Sequence, residues 1–482
     1  MVEKIDGVIN AISGVLYQPY IVPLFLIVAG VYFTIRTGLL QISLFGESIK
    51  VVSEKPKEKG SVSSFGALMV STASRVGTGN IIGVASALVL GGPGAIFWMW
   101  ITAILGGASA FIESTLAQIY KRKDKDGTSY GGPSYYMQDG LKQRWLGIIF
   151  AIVLILTYAV GYNMLAAYNT QSTFGGFSFY DAETTPYIIG GILAVLFGAC
   201  VLGGGLRLTK ITGVLVPIMG VLYVIVSLVI LVMNITYIPA MFKAIFVSAF
   251  DFKAIFGGFT GSCIMWGIKR GLYSNEAGMG SAPNAAASAE VAHPAKQGLV
   301  QMLSVFIDTL LICTATAFMC LCGQLRTGGI NSAAYINADG SANAANFVQD
   351  SIFASLGAAG PIFIAAALTL FAFTTLLGNY YYCEGCLRFI LKRKPSKAFI
   401  TCFRIVATVL VFVGAILSAG VVWDTADMLQ GIMVVINVPV ILILGGPAIA
   451  ALKDYKKQRK EGKSPEFKSA NIGLEGKTDC WE

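Results

Sequence analysis

The chain has 482 residues, of which 55% are hydrophobic and only 13% charged. Soluble domains carry about 25% charged residues, so this composition excludes an ordinary water-soluble fold and indicates a polytopic, all-α membrane protein. A net charge of +9 would suggest a nucleic-acid partner in a soluble chain, but here the basic residues fall in alternate loops, as membrane topology requires.

The stretch from Met1 to Gln18 lacks the basic leader and compact apolar core of a cleavable signal, so none is expected. About eleven apolar stretches reach the roughly 20 residues needed to cross a bilayer. They lie near 18–36, 64–91, 94–120, 145–173, 187–204, 211–235, 256–290, 298–323, 361–390, 399–420 and 428–451. Pro239 to Phe256, with its aromatics and two lysines, reads as an interfacial helix or a short extra span. Lys50, Lys55, Lys57 and Lys59 separate the first two spans, and Lys121, Arg122, Lys123, Lys125, Lys142 and Arg144 the third and fourth. Lys392, Arg393, Lys394 and Lys397 separate the ninth and tenth. The intervening loops are poor in Lys and Arg, which places the amino terminus outside and the basic loops and carboxyl terminus in the cytoplasm.

If the first span is peripheral (1–60), the other ten divide into two sets of five with opposite orientation, 61–235 and 236–452. Each set then begins with a broken helix, the plan of an inverted repeat. The tail, 453–482, is polar and is expected to be poorly ordered.

The first break is Val76-Gly77-Thr78-Gly79-Asn80, and the second is Ser274-Asn275-Glu276-Ala277-Gly278-Met279-Gly280. Backbone released from helical bonding inside a bilayer is tolerated only where protein or a water-filled cavity receives it. Two breaks in corresponding halves point to the substrate site of a secondary transporter. Gly77 and Gly79 let the chain leave helical geometry, and the half-helix from Asn80 offers free N–H groups that suit a carboxylate. The freed carbonyls of Ala73 to Val76 suit a small cation, although glycine motifs also serve close helix packing. At the second break Ser274, Asn275 and Glu276 bring polar groups to membrane depth, and the carbonyls there suit an ammonium group. Trp266 either walls a pocket or packs. Lys269 and Arg270 either pair with Glu276 or Asp308 or take part in transport.

Thr374 and Thr375 set two hydroxyls in a deeply apolar helix; they suit a hard cation, or each bonds its own i−4 carbonyl. Gln171 and Phe174 end the fourth span and compete with Asn163 and Tyr168 to line a pocket. Glu113 reads as a buried structural carboxyl. Cys383-Glu384-Gly385-Cys386 has metal-site spacing, but no second pair accompanies it and His293 is the single histidine, so no metal cofactor is expected. No Ser/His/Asp set or paired metal ligands suggest an enzyme.

Gly91-Gly92-Pro93-Gly94-Ala95-Ile96-Phe97-Trp98-Met99-Trp100 resembles the signature of the alanine/glycine:cation symporter family, the sodium:alanine symporters. Val76-Gly77-Thr78-Gly79-Asn80-Ile81 and the run from Gly271 to Asn284 are similar to its two most distinctive stretches, and His293-Pro294 and Phe306-Ile307-Asp308-Thr309 extend the likeness over roughly 10–450. The resemblance implies sodium-driven uptake of L-alanine, glycine and, in some members, D-alanine across the cell membrane, with Na+ as coupling ion and no cofactor. It also implies a fold similar to the LeuT-type five-plus-five inverted repeat, with one extra amino-terminal helix. The carbonyls of Ala73 and Val76 and the hydroxyls of Thr374 and Thr375 become sodium ligands on that footing. Gly77, Thr78, Gly79, Asn80, Gln171, Phe174, Trp266, Ser274, Asn275 and Gly278 become the substrate site. Arg75 would repel a cation there unless it points away or meets a carboxylate, and Asp308 or Glu276 would carry the coupling if a proton replaced sodium.

Overall fold

The computed structural model describes residues 2–17, 21–54, 61–124, 127–203, 205–251, 262–338 and 340–482. Helices α1 (Val2–Tyr17) and α2 (Ile21–Thr37) form the first apolar stretch, which begins well before residue 18. The short α3 (Leu40–Ser43) and α4 (Phe45–Val52) lead to α5 (Ser64–Arg75), and α6 (Val84–Gly91) and α7 (Gly94–Ile119) follow. Among the described residues the one sheet is a hairpin of β1 (Arg122–Lys123) and β2 (Ser129–Tyr130). Next come α8 (Pro133–Asp139), α9 (Arg144–Ile155), α10 (Asn163–Ser172), α11 (Thr185–Val201), α12 (Gly205–Met233) and α13 (Ile238–Ala249). The second half holds α14 (Cys263–Asn275), α15 (Pro283–Ser288), α16 (Pro294–Val305), α17 (Thr314–Arg326) and α18 (Ala344–Leu356). It ends with α19 (Ala359–Leu391), α20 (Lys397–Ile416) and α21 (Ala419–Lys460).

The described residues include eight helices long and apolar enough to cross a membrane, and the bent pair α5 and α6 makes a ninth. The expected span at 187–204 corresponds to α11, a shorter apolar helix of 17 residues. The expected span at 256–290 lies partly outside the described residues, as do Lys55, Lys57, Lys59 and Lys125 and the end of the stretch expected to be interfacial. The described part of that stretch is α13, which packs on α7.

Local chemistry sets the helix starts. The Ser63 hydroxyl accepts the Gly66 N–H and the Ser262 hydroxyl the Met265 N–H, so each broken helix opens on a serine cap. Proline occupies the first turn of α8, α15 and α16, where its missing N–H costs nothing. Gly92, at φ +73°, turns the chain from α6 into α7.

At the centre, α7 packs against α2, α14, α16 and α21, while α5 lies between α12 and α19. Helix α18 stands between two of the expected spans; its Asn343 cap and apolar face (Phe347, Val348, Ile352) are set in a composition too polar to suggest a span. One expectation is corrected. The tail is ordered against the body: the Phe467 N–H donates to the Ala292 carbonyl, and the buried Trp481 indole donates to the Gln118 carbonyl at 2.7 Å. Two aromatic anchors at its ends offset the polarity that suggested disorder.

Candidate functional site

The first break begins at Val76, whose ψ of 87° ends α5. The chain resumes in a π-turn, Gly79–Gly83, and the halves meet at 52°. Both glycines are required by close approach: a Cβ on Gly77 would strike the Thr375 hydroxyl, and one on Gly79 would sit 3.0 Å from the Tyr273 ring. The Asn80 side chain closes the turn by accepting the Gly77 N–H at 2.7 Å.

The second break starts at Glu276 (φ +57°) and turns through Gly278 (φ +86°) and Gly280 (φ +81°). Glu113 of α7 steadies it by accepting the Gly280 N–H at 3.1 Å. Asn437 of α21 donates to Glu113 (3.0 Å) and to the Gly278 carbonyl (2.9 Å). Glu113 is therefore structural, as expected, and its partner Asn437 is the feature that sequence reasoning missed.

The breaks meet through a buried polar network. Asp308 accepts from the Asn80 amide (2.7 Å), the Ser274 hydroxyl (2.8 Å) and the Thr309 hydroxyl (2.8 Å). Asn275 donates to Thr309 at 3.3 Å. Glu276 accepts from Ser281 (2.7 Å) and stands 2.8 Å from the Ser74 hydroxyl, whose single proton is shared with Asn379 Oδ1 at 2.7 Å. Thr78 pairs with the Tyr273 hydroxyl (3.0 Å) and accepts from Asn169 (3.1 Å). Asn379 donates to Asn163 at 2.9 Å. Arg75, only 1% exposed, donates to the carbonyl and side-chain oxygens of Gln301 and lies in the field of Glu113, Glu276 and Asp308. Its guanidinium is thus turned to Gln301 of α16 and makes no ion pair among the described residues.

Helix α19 runs against the first break. Gly378 packs on the backbone of Ala73 and Ser74, where even a Cβ would collide. Thr375, one turn earlier, sets its hydroxyl on Gly77, and that buried oxygen has no hydrogen-bond partner among the described residues. Thr374 faces elsewhere and bonds back to the Phe371 carbonyl at 3.0 Å, the self-satisfied alternative. Ala73 and Val76 are buried beside the unpartnered hydroxyl's helix.

Other expected residues lie apart. Gln171 accepts from Tyr180 (2.7 Å), and Phe174 joins Phe177 and Phe179 beyond the end of α10. The fourth span reaches the breaks through Asn163 and Asn169 instead; the latter's signal was only an amide in an apolar span. Lys269 and Arg270 do not pair with Glu276 or Asp308. Both engage Asp427 of α21, Lys269 at 2.7 Å and Arg270 through two contacts of 3.1 and 3.2 Å, because their positions near the middle of α14 face α21 rather than the break. Trp423 and Trp266 stack on the Arg270 guanidinium at 4.1 and 5.1 Å, so Trp266 belongs to this ion-pair layer. Tyr273 links the layer to the breaks, lying 5.3 Å from Trp423 and 5.0 Å from Tyr162.

A cavity of about 440 Å³ is lined by Asn284 and Ser288 of α15, Arg388 of α19 and Arg404 of α20. The described residues hold no cluster of three His, Cys, Asp or Glu suited to a metal ion. The network therefore offers carbonyls, hydroxyls and buried carboxyl groups for binding, and among the described residues no nucleophile and base are aligned in it for catalysis.

A family model described as the sodium:alanine symporter family matches residues 2–469. The chain is 42% identical to the amino-acid carrier protein AlsT of Bacillus subtilis, over 95% of this chain and 94% of that one. It is 40% identical to the probable sodium/glutamine symporter GlnT of the same species, over 100% and 97%. It is 38% identical to the sodium/alanine symporter AgcS of Methanococcus maripaludis, over 94% and 98%.

Proposed function

The chain belongs to the sodium:alanine symporter family of transporters, not enzymes, and on that premise we propose that it couples inward sodium movement to uptake of a small neutral amino acid by alternating access. The observation that carries this reading is the Thr375 hydroxyl, buried against the Gly77 break with no partner among the described residues. A buried oxygen without a partner is costly, and a sodium ion shared with the Ala73 and Val76 carbonyls would satisfy it. Thr374 contributes to the helix rather than to the ion.

In this reading the substrate carboxylate meets the amides around Gly77 to Gly79, Asn80 and Thr78, and its ammonium group meets carbonyls of the second break beside Ser274, Asn275 and Gly278. The contact of Tyr273 with Gly79 and Gly83 leaves little room for a side chain, which favours L-alanine, D-alanine and glycine over larger substrates. Trp266, Gln171 and Phe174 act outside the first contact layer.

The fold reading is the LeuT-type inverted repeat of two five-span sets after an extra first span. Support comes from packing between equivalent spans: α6 on α14, α7 on α16, α9 and α10 on α19, and α11 on α20. The amino terminus lies outside, so the Arg270–Asp427 layer faces the exterior and the 440 Å³ vestibule faces the cytoplasm.

Thermal unfolding of the purified protein tests the substrate. L-alanine should raise the melting temperature only with sodium present, glycine and D-alanine should follow, and glutamine should not. Equal stabilisation by glutamine, the substrate in the name of one relative, would overturn the small-pocket reading.

A further inference from the structure

A second cavity, of about 300 Å³, lies away from the breaks, where α9 begins and α19 ends. Its walls are aromatic and its rim is cationic. The Arg144 guanidinium lies 4.7 Å from the Phe389 ring and donates to the Phe389 carbonyl at 3.0 Å. The Arg388 guanidinium sits 3.5 Å from the Tyr130 ring. Arg122 completes the fixed cations, and Lys392 and Arg393 stand exposed at the mouth with no ion pair among the described residues.

Among the described residues the cations at this rim outnumber the carboxylates. Asp139 pairs with Arg122 at 3.0 Å, Asp479 acts on Arg122 from beside the Lys123 N–H, and Asp124 serves both Arg388 (2.8 Å) and Lys394 (2.6 Å). Cations held in place by ring stacking around a walled hollow form a receptor for a compact anion, and planar guanidinium groups suit phosphate oxygens. The hollow also lies at the bilayer surface, since two spans terminate on it. Trp145, 60% exposed beside Arg144, has the place of an interfacial anchor.

We propose that this cavity binds the phosphate group of an anionic glycerophospholipid. Basic pockets between span ends are suited to such headgroups. Tyr130 and Arg388 also line the vestibule below the second break, so an occupied site would brace one wall of the substrate's path.

Native mass spectrometry of the full-length protein with phosphatidylglycerol or phosphatidylcholine, with and without millimolar inorganic phosphate, tests the assignment. The wild type should retain phosphatidylglycerol selectively. Lys392→Gln with Arg393→Gln should weaken retention by about tenfold or more. Lys457→Gln with Lys460→Gln, which removes equal charge from the end of α21, should leave it unchanged. All these side chains are on the surface, and melting temperatures would report intact folding. Displacement of the lipid by inorganic phosphate would overturn the lipid source in favour of a free anion. Equal retention by the wild type and the Lys392/Arg393 variant, or equal loss in both variants, would overturn the site.

Discussion

Adjacent residues of a helix point about 100° apart, and here Thr375 meets Gly77 of the break while Thr374 turns back on the Phe371 carbonyl of its own helix. The sequence showed two hydroxyls in an apolar helix; choosing between them required the packing of α19 on Gly77 and Gly378. Thr375→Ala should therefore raise the sodium concentration for half-maximal uptake by about tenfold, the scale of one lost charged contact, while Thr374→Ala should change it less than about twofold. Sodium activation curves of the two variants decide this, and equal curves would remove Thr375 from the ion site. Gly79→Val places branched carbons into the Tyr273 ring and should abolish sodium-dependent alanine binding; scintillation proximity measurements on the purified variant would read the loss.

Both broken helices were legible because glycine and polar residues interrupt apolar stretches at matching places, and the bend at Gly77 and the left-handed turns at Gly278 and Gly280 follow from those residues. Their supports were not legible. Glu113, Asn437 and Asp427 come from distant helices, and a lone polar residue in an apolar span does not name its partner. The same blindness led to pairing Arg270 with the nearest acids in sequence, whereas side-chain direction on α14 selects Asp427. Removing one member of a buried pair leaves an uncompensated charge, so Asp427→Asn should cost about 3 kcal/mol of stability. Lys269→Met and Arg270→Met combined with Asp427→Leu should recover most of it, because all three partners are then neutral. Melting temperatures of the single and combined variants would show this, and additive losses would contradict the pairing.

Across the whole molecule, the tail joins the end of α7 to the segment before α16. Phe467 packs 5.1 Å from the His293 ring and 5.4 Å from Trp481, contacts too sparse to create any sequence periodicity. Burial pushes the Cys480 thiol up to about 11, so it should alkylate slowly at pH 8 in the wild type. Trp481→Ala should release the tail and speed modification of Cys480 severalfold, as read by peptide mass spectrometry. His293 reports on the same contact. Burial lowers its imidazole to about 4 from the usual 6.5, against the opposing pull of Asp454. A lowered histidine means that the unfolded chain binds more protons between those values, so this contribution is complete above pH 6.5 and is lost as pH falls towards 4. His293→Gln should flatten that part of the stability profile. The central claim, sodium-coupled transport, is tested most directly by L-alanine uptake into proteoliposomes at fixed pH with and without an inward sodium gradient. The account predicts concentrative uptake that requires the gradient. Uptake indifferent to sodium and driven by a pH gradient would contradict it and move coupling to Asp308 or Glu276.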